Sequence, residues 1–337
     1  MRLLFLDAQA VQSLMAMPQI IEAVHAAFVA YGRGEARMPP KVYLDVPDGD
    51  FRAMPAYVAG AAGVKWVNVH PQNPTRYNLP TVMALIIYSD PATGAPLAVL
   101  DGTIITRYRT GAAAAVATRA LARPDASTIG LIGCGGQAEA HLLALTTVLA
   151  PRRVYLADKR REAAERLAAR FPHLDCQVVD VERACQADVL STLTPAREPF
   201  VRLAWLRPGC HINAMGADAP GKQELETEVL LAARVFVDDW EQASHSGEIN
   251  VPYSQGRLTE VAGSLPDLLC GRIAGRRSDT EITVFDSTGL ALQDVAVARL
   301  VYDAAARAGT GTTVDFALAN EMSGVGAGGA RESQGQR

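Results

Sequence analysis

Four cations sit where a folded chain has reason to avoid them: Lys41 after Pro39-Pro40, Arg52 in FRAMPAYV, Lys65 in GVKWVNVH and Arg109 in TRYRTGAAAAVAT. An ammonium in an apolar wall is costly unless it is paired or used. Cations converging on one pocket suit a carboxylate substrate. A lysine whose pKa burial has lowered can also carry protons near neutrality. Each has a plainer explanation. Lys41 and Arg52 could be solvated at strand ends. Strand alternation allows Lys65 to face water, with Val64, Trp66 and Asn68 sharing the opposite face. Arg109 is expected to open an alanine-rich helix over 109–122, where a cation opposes the macrodipole and a nearby bound anion would explain it.

A second feature carries chemistry of another kind. GLIGCGGQAEAH places Gly133-x-Gly135-x-x-Ala138 at the end of a strand and the start of a helix. Gly133 permits the tight turn, Gly135 lets backbone approach a pyrophosphate, and Ala138 allows close helix–strand packing. The helix amino terminus then offers free N–H groups to phosphates. Asp158 ends the next strand, where its carboxylate can accept hydrogen bonds from ribose hydroxyls. The pattern points to NAD. Lys159, Arg160 and Arg161 leave NADP possible, since cations there could pair with a 2′-phosphate, although helix-surface cations are the commoner explanation.

The elements that must hold these residues change character along the chain. A helix is expected from Pro18 to Arg33, where Ile20, Ile21, Val24, Ala27, Phe28 and Tyr31 recur at helical spacing. Strand-like KVYLDV, FRAMPAYV, GVKWVNV, TVMALIIYSD and PLAVLDGTII follow, divided by turn signals, and suggest a mainly antiparallel sheet. From Ser127 strands and helices alternate in the βαβ rhythm of a doubly wound parallel sheet. A helical stretch SLPDLLCGRIAG, a strand EITVFDST and a helix from about Leu292 to Arg307 close the pattern. The expected fold is α/β: a Rossmann-type sheet over 117–289, and an α+β substrate-binding and dimerisation domain from 1–116 and 290–322. The Gly-rich polar tail 323–337 is expected to be disordered.

Bulk properties exclude other classes. The 337 residues are 49% apolar and 20% charged, with net charge −4, which gives no electrostatic case for nucleic acid or an anionic membrane. Five scattered cysteines without a CxxC pair argue against a disulfide framework. Six histidines without HxxxH or HExxH spacing leave a metal site without support. A soluble cytoplasmic protein is the expectation.

GVKWVNVHPQNP, TRYRTGAAAAVAT, GLIGCGGQAEAH, HINAMGADAPGKQEL, VFVDDWEQASHSGEINV and EITVFDSTGLALQDVAVA together resemble the ornithine cyclodeaminase / mu-crystallin family, in order from about residue 1 to 320. KWVNVHPQNP and GADAPGKQELE are most similar to its archaeal-type alanine dehydrogenase branch. The resemblance implies a homodimer that oxidises the CH–NH2 group of a small L-amino acid with NAD. It implies Lys65 and Asp218 as the catalytic groups that shuttle protons; burial beside cations would lower the lysine pKa, whereas ion-pairing with Asp218 would raise it. Substrate contacts fall on Lys41, Arg52, Lys65, Arg109 and Thr288. Cofactor contacts fall on Thr81, Arg109, Thr110, Gly133, Gly135, Gly136, Gln137, Asp158, Lys159 and Thr194, then Ala214, Met215, Gly216, Asp218, Lys222 and Ser287. Departures from the cyclodeaminase pattern sharpen the substrate. Arg52 stands where those enzymes carry an acid near the distal amine, and a cation there would repel ornithine or lysine. Lys41 stands where they use arginine, which keeps the charge but loses the bidentate fork. Ala219 stands where cysteine is common, with no firm consequence. Reduction of a ketimine or pyrroline-2-carboxylate, ornithine cyclodeamination, and non-catalytic NADP-dependent binding remain alternatives on the same scaffold.

Overall fold

The computed structural model describes residues 2–316; the tail 323–337 lies outside the described residues. Two eight-stranded sheets organise the chain. The first runs in the order Thr312–Asp315, Arg2–Leu6, Pro96–Asp101, Val82–Ser89, Ala61–Val69, Gly49–Val58 and Ala36–Arg37, with Val42–Val46 also paired to Gly49–Val58. Its pairs are antiparallel except for Arg2–Leu6 with Pro96–Asp101. The second is parallel throughout: Cys176–Val178, Arg153–Ala157, Thr128–Ile132, Val189–Thr192, His211–Ala214, Thr283–Asp286, Arg234–Val237 and Gly263–Ser264. The α/β class and its antiparallel companion are those expected.

The helix Gly102–Leu121 joins the two sheets. Its Ala112–Ala117 run is fully buried, because apolar surface packs it from both sides. A Cβ on Gly111 would lie 2.6 Å from the Ala140 carbonyl oxygen, so glycine permits the close crossing with the helix Ala138–Val148. This helix passes unbroken through residue 116, and the core around the antiparallel sheet reaches Phe236 and Phe285 of the parallel one, which has its own clusters on its two faces.

Three local expectations are corrected. PLAVLDGTII is a strand only to Asp101; the Asp101 carboxylate accepts the Ile104 N–H at 2.8 Å and starts the helix at Gly102. Arg109 therefore lies about two turns inside the helix, and the macrodipole argument for a bound anion falls away. SLPDLLCGRIAG is helical only over Leu265–Leu269, capped by Ser264 and ended near Gly271, whose φ is +72°. The pairing of Arg2–Leu6 with Thr312–Asp315 was not expected, because each is a short run whose partner lies at the far end of the chain.

The face of Lys65 is also reversed from the solvated alternative. Lys65 shares the inner face of its strand with Val67, under the helices Gly102–Leu121 and Ala291–Ala308. Trp66, Leu85 and Ile87 take the other face and remain 44, 54 and 43% exposed.

Candidate active site

Five adjacent parallel strands end in register at Ala157, Ile132, Thr192, Ala214 and Asp286. The loops leaving them carry Asp158, Gly133–Gln137, Thr194, Met215–Asp218 and Ser287–Thr288. Chain order reverses between Thr128–Ile132 and Val189–Thr192, which opens a crevice at the carboxyl ends of the strands. Gly133 has φ +96°, and a Cβ there would lie 3.0 Å from Leu193 and Thr194. Above Gly135 a Cβ would meet nothing within 4 Å, while at Gly136 the nearest atom is Arg107 Nη2 at 4.0 Å. Gln137 Oε1 is buried and unpartnered beside this opening. An open glycine cradle at a helix amino terminus fits a dinucleotide pyrophosphate. Asp158 accepts the N–H groups of Cys134 and Arg160, each at 2.8 Å, so its carboxylate fixes the glycine loop at the carboxyl end of its strand. Lys159 is exposed, and Arg161 is paired with Glu165 on the helix surface.

The other wall comes from the antiparallel sheet. Lys65 is 1% exposed, and its Nζ lies 2.7 Å from Asp294 Oδ2. This is an ion pair by distance, yet its angle leaves Oδ2 without a directed hydrogen bond. Arg109 Nε donates to Asp294 Oδ1 at 3.0 Å, and its Nη1 donates to Gln293 Oε1 at 2.9 Å. Both are bound from the first turn of the helix Ala291–Ala308, and Nη2 has no hydrogen-bond partner among the described residues. Gly289 lets that turn close on the guanidinium, since a Cβ would lie 2.6 Å from Arg109 Nη1. Lys41 Nζ donates to the Thr288 carbonyl at 2.7 Å. Burial pushes the Lys65 ammonium down to about 7; Arg109 and Lys41 add to this, while Asp294 opposes it. Burial likewise brings Lys41 down to about 8, against the pull of Asp238.

The ion pair with Asp218 that would raise the Lys65 pKa does not form. Asp218 Oδ2 is 3.0 Å from Arg52 Nη1, and Oδ1 is 2.5 Å from Lys222 Nζ. Burial raises the Asp218 carboxyl, but Arg52 and Lys222 together outweigh it and hold it down at about 2. Arg52 in turn is forked by Asp50, with Nε–Oδ1 at 2.6 Å and Nη2–Oδ2 at 3.2 Å, and lies over the Tyr43 ring. The expected repulsion of a second ammonium by Arg52 is therefore smaller than a bare cation would give. Two carboxylates and two cations balance there.

The remaining residues divide by place. Thr194, Ala214, Met215 and Gly216 line the strand ends, and the Thr194 N–H and hydroxyl both bind the buried Glu224. Ser287 and Thr288 are held by Asp238, which accepts the Thr288 N–H at 2.7 Å and the Gly289 N–H at 2.8 Å. Thr81 sits in the loop before Val82–Ser89, its carbonyl taken by the His70 N–H. The Thr110 hydroxyl is turned back onto the Thr106 carbonyl. Asp294 and Gln293 are the site residues that sequence reasoning missed. Their signal was a polar pair in the otherwise apolar stretch Leu290–Val297, where both are fully buried.

A doubly wound sheet with an open glycine cradle, facing a second sheet that delivers a buried lysine, defines a dinucleotide-dependent oxidoreductase architecture. The chain belongs to the ornithine cyclodeaminase/mu-crystallin family, whose model matches residues 1–309. It is 48% identical over 320 residues to an alanine dehydrogenase of Archaeoglobus fulgidus, covering 94% of this chain and 99% of that one. A solved archaeal alanine dehydrogenase dimer with bound NAD superposes with a TM-score of 0.92 at 48% identity, over 94% of this chain and 100% of the other. The Thermococcus litoralis Delta(1)-pyrroline-2-carboxylate reductase in complex with NADH and L-proline gives 0.88 at 35% identity, over 92% and 100%.

Proposed function

We propose that this chain is an NAD-dependent L-amino-acid dehydrogenase acting on the CH–NH2 group, with L-alanine as its substrate, run reversibly to pyruvate and ammonia. The observation that carries this reading is the enclosed Lys65, brought near neutrality beside Arg109 and Lys41, with Lys41 bonded to Thr288 at a carboxyl strand end of the parallel sheet. The likeness to alanine dehydrogenase along almost the whole chain supports it. The Asp158 carboxylate favours NAD, since it would repel a 2′-phosphate.

The bound nicotinamide supplies the hydride acceptor. The chain's own groups do the rest. Arg109 Nη2 and the Lys41 ammonium hold the substrate carboxylate, which aims the Cα–H at the cofactor cleft. Neutral Lys65 takes a proton from the substrate ammonium, so that hydride loss from Cα leaves an iminium. Water adds to that carbon and loses a proton to solvent, and the carbinolamine collapses to the 2-oxo acid and ammonia as its hydroxyl proton also passes to solvent. Lys65 can return the proton that the departing nitrogen needs. Asp218 stays ionised at any working pH, so it orients water or steadies positive charge and does not store a proton.

The side chain must be small and uncharged. Asp218 spends both oxygens on Arg52 and Lys222, and Asp50 spends both on Arg52. Among the described residues no carboxylate at this wall is left without a cation for the distal ammonium of ornithine, which argues against cyclodeamination. A spectrophotometric scan tests the reading. Expected are NAD reduction with L-alanine and NADH oxidation with pyruvate plus ammonia. Oxidation of NADH by a cyclic imine alone would instead select the imine-reductase alternative. Proline released from ornithine without net NADH would select cyclodeamination. Tight dinucleotide binding with no turnover on any of these would favour the binding-protein alternative.

The same reading includes a homodimer. Trp66 stacks on Phe51 at 5.3 Å and, with Leu85 and Ile87, presents an apolar face that no described residue covers. Such a face is stable in water when a second copy covers it. Leu85→Asp is expected to turn a dimer into a monomer in sedimentation; a dimer that persists would place the interface elsewhere.

A further inference from the structure

The segment Gly216–Gln223 carries Asp218 and Lys222 across to the antiparallel sheet, yet it contains no regular element to hold its shape. What holds it is a set of buried side chains outside the reacting groups. The Asn250 amide binds both polarities at once: Oδ1 accepts the Gly221 N–H at 2.9 Å, and Nδ2 donates to the Lys222 carbonyl at 2.8 Å. Nδ2 also reaches the Gly247 carbonyl, which ties the amide to its own turn. Two residues earlier, Glu248 Oε1 accepts the N–H groups of Glu224 and Leu225, at 2.8 and 2.5 Å, fixing the far end of the same segment. Glu224 then returns to the near end. Its Oε2 accepts the Gly216 N–H at 2.9 Å and the Thr192 hydroxyl at 2.6 Å, and its Oε1 takes the N–H and hydroxyl of Thr194. The Gly247–Ile249 turn is itself anchored by Asp286 at a strand end, through the Glu248 and Ile249 N–H groups at 2.9 and 3.0 Å. Asn250 is 5% exposed, and the three acids are fully buried.

We propose that Asn250, backed by Glu248, is a positioning residue that holds the Asp218–Lys222 loop in register with Arg52. The loop's place in catalysis rests on the dehydrogenase reading above. Only a primary amide meets both demands at position 250. Aspartate would set a second acceptor against the Lys222 carbonyl, serine could keep one bond of the two, and alanine neither. Losing the amide leaves a buried backbone N–H and C=O without partners, and the loop relieves this by opening to water. Asp218 and Lys222 then leave Arg52, while the Gly133–Gln137 cradle, held by separate bonds, stays intact.

The test compares Asn250→Ser, Asn250→Ala and Asn250→Asp in the full chain by hydrogen exchange, NADH binding fluorescence and steady-state kinetics with alanine. Exchange is expected to quicken over 216–225 and stay unchanged over 128–158. Turnover is expected to fall by about ten- to a hundredfold, in the order Ser, Ala, Asp. NADH affinity is expected to fall less than turnover, because the pyrophosphate cradle is untouched while Gly216, Asp218 and Lys222 loosen. A loosened loop with unchanged kcat would overturn the positioning role. Unchanged exchange over 216–225 would overturn the clamp itself, and quickened exchange everywhere would reduce Asn250 to a folding residue. If the unmodified chain shows no alanine turnover, the dehydrogenase reading fails, and exchange alone judges the clamp.

Discussion

Lys65→Met is expected to lower alanine deamination by about 10²–10⁴-fold while leaving NADH binding in place. Methionine keeps the length and apolar stem of the side chain and removes the one group here that can take and return a proton near neutrality. Since Lys65 sits at about 7 in the folded chain, roughly half of it is neutral at that pH, which suits proton transfer in either direction. The same substitution has a signature in stability. An unfolded lysine holds its proton to about pH 10.4. Between about 7 and that value the unfolded chain therefore binds more protons than the folded one, and the fold gains stability as pH rises. Below about 7 both states are protonated, and the cost of burying the charge is fully present. Lys65→Met should remove this slope, which chemical denaturation at pH 7 and pH 10 would measure. Near-normal turnover in a folded Lys65→Met chain would end the case for Lys65 as proton carrier.

The sequence made one half of this molecule far more legible than the other. The parallel sheet was readable because each strand is an apolar run followed by a helix, and Gly133 and Asp158 lie at strand ends that the βαβ rhythm fixes. The antiparallel sheet resisted at the decisive residue. Period-two alternation assigns a strand's inner face only when the outer face is polar. Around Lys65 both faces are apolar, one packed under helices and the other left as the Trp66–Leu85 surface. Alternation therefore could not say which way the lysine pointed. Family likeness placed Lys65, Asp218 and Arg109 in one site, but pairing within a site depends on side-chain reach. The sequence left it open whether Lys65 would pair with Asp218, which belongs to Arg52 and Lys222. The actual partner of Lys65, Asp294, lies far along the chain, on a helix whose apolar periodicity hid it.

Asp294→Asn is the substitution that separates tuning from proton transfer. Asparagine can still accept the Arg109 Nε hydrogen bond but carries no charge toward Lys65. Three influences act on the lysine: burial first, pushing its pKa down, then Asp294 pulling it up, then Arg109 and Lys41 pushing it down. Withdrawing the single upward pull leaves the others unopposed, so the pKa should fall further, by about one to three units for a charge at this distance. Oxidative deamination uses neutral Lys65, and its acid limb should therefore move to lower pH by that amount. Reductive amination needs the protonated form, and it should lose activity at neutral pH and keep more of it in acid. Arg109, still charged and less firmly held, should bind the substrate carboxylate more weakly and raise KM for alanine. A lysine can shed its proton to escape an unpaired burial, but an arginine cannot. Any loss of stability in this variant should thus persist at high pH, where Lys65 no longer contributes. A limb that stays put or moves upward would mean that the group titrating in the rate is not Lys65. The opposed shifts in the two reaction directions are the discriminating result. A merely damaged site would lower both rates together, whereas a retuned lysine lowers one and relocates the other.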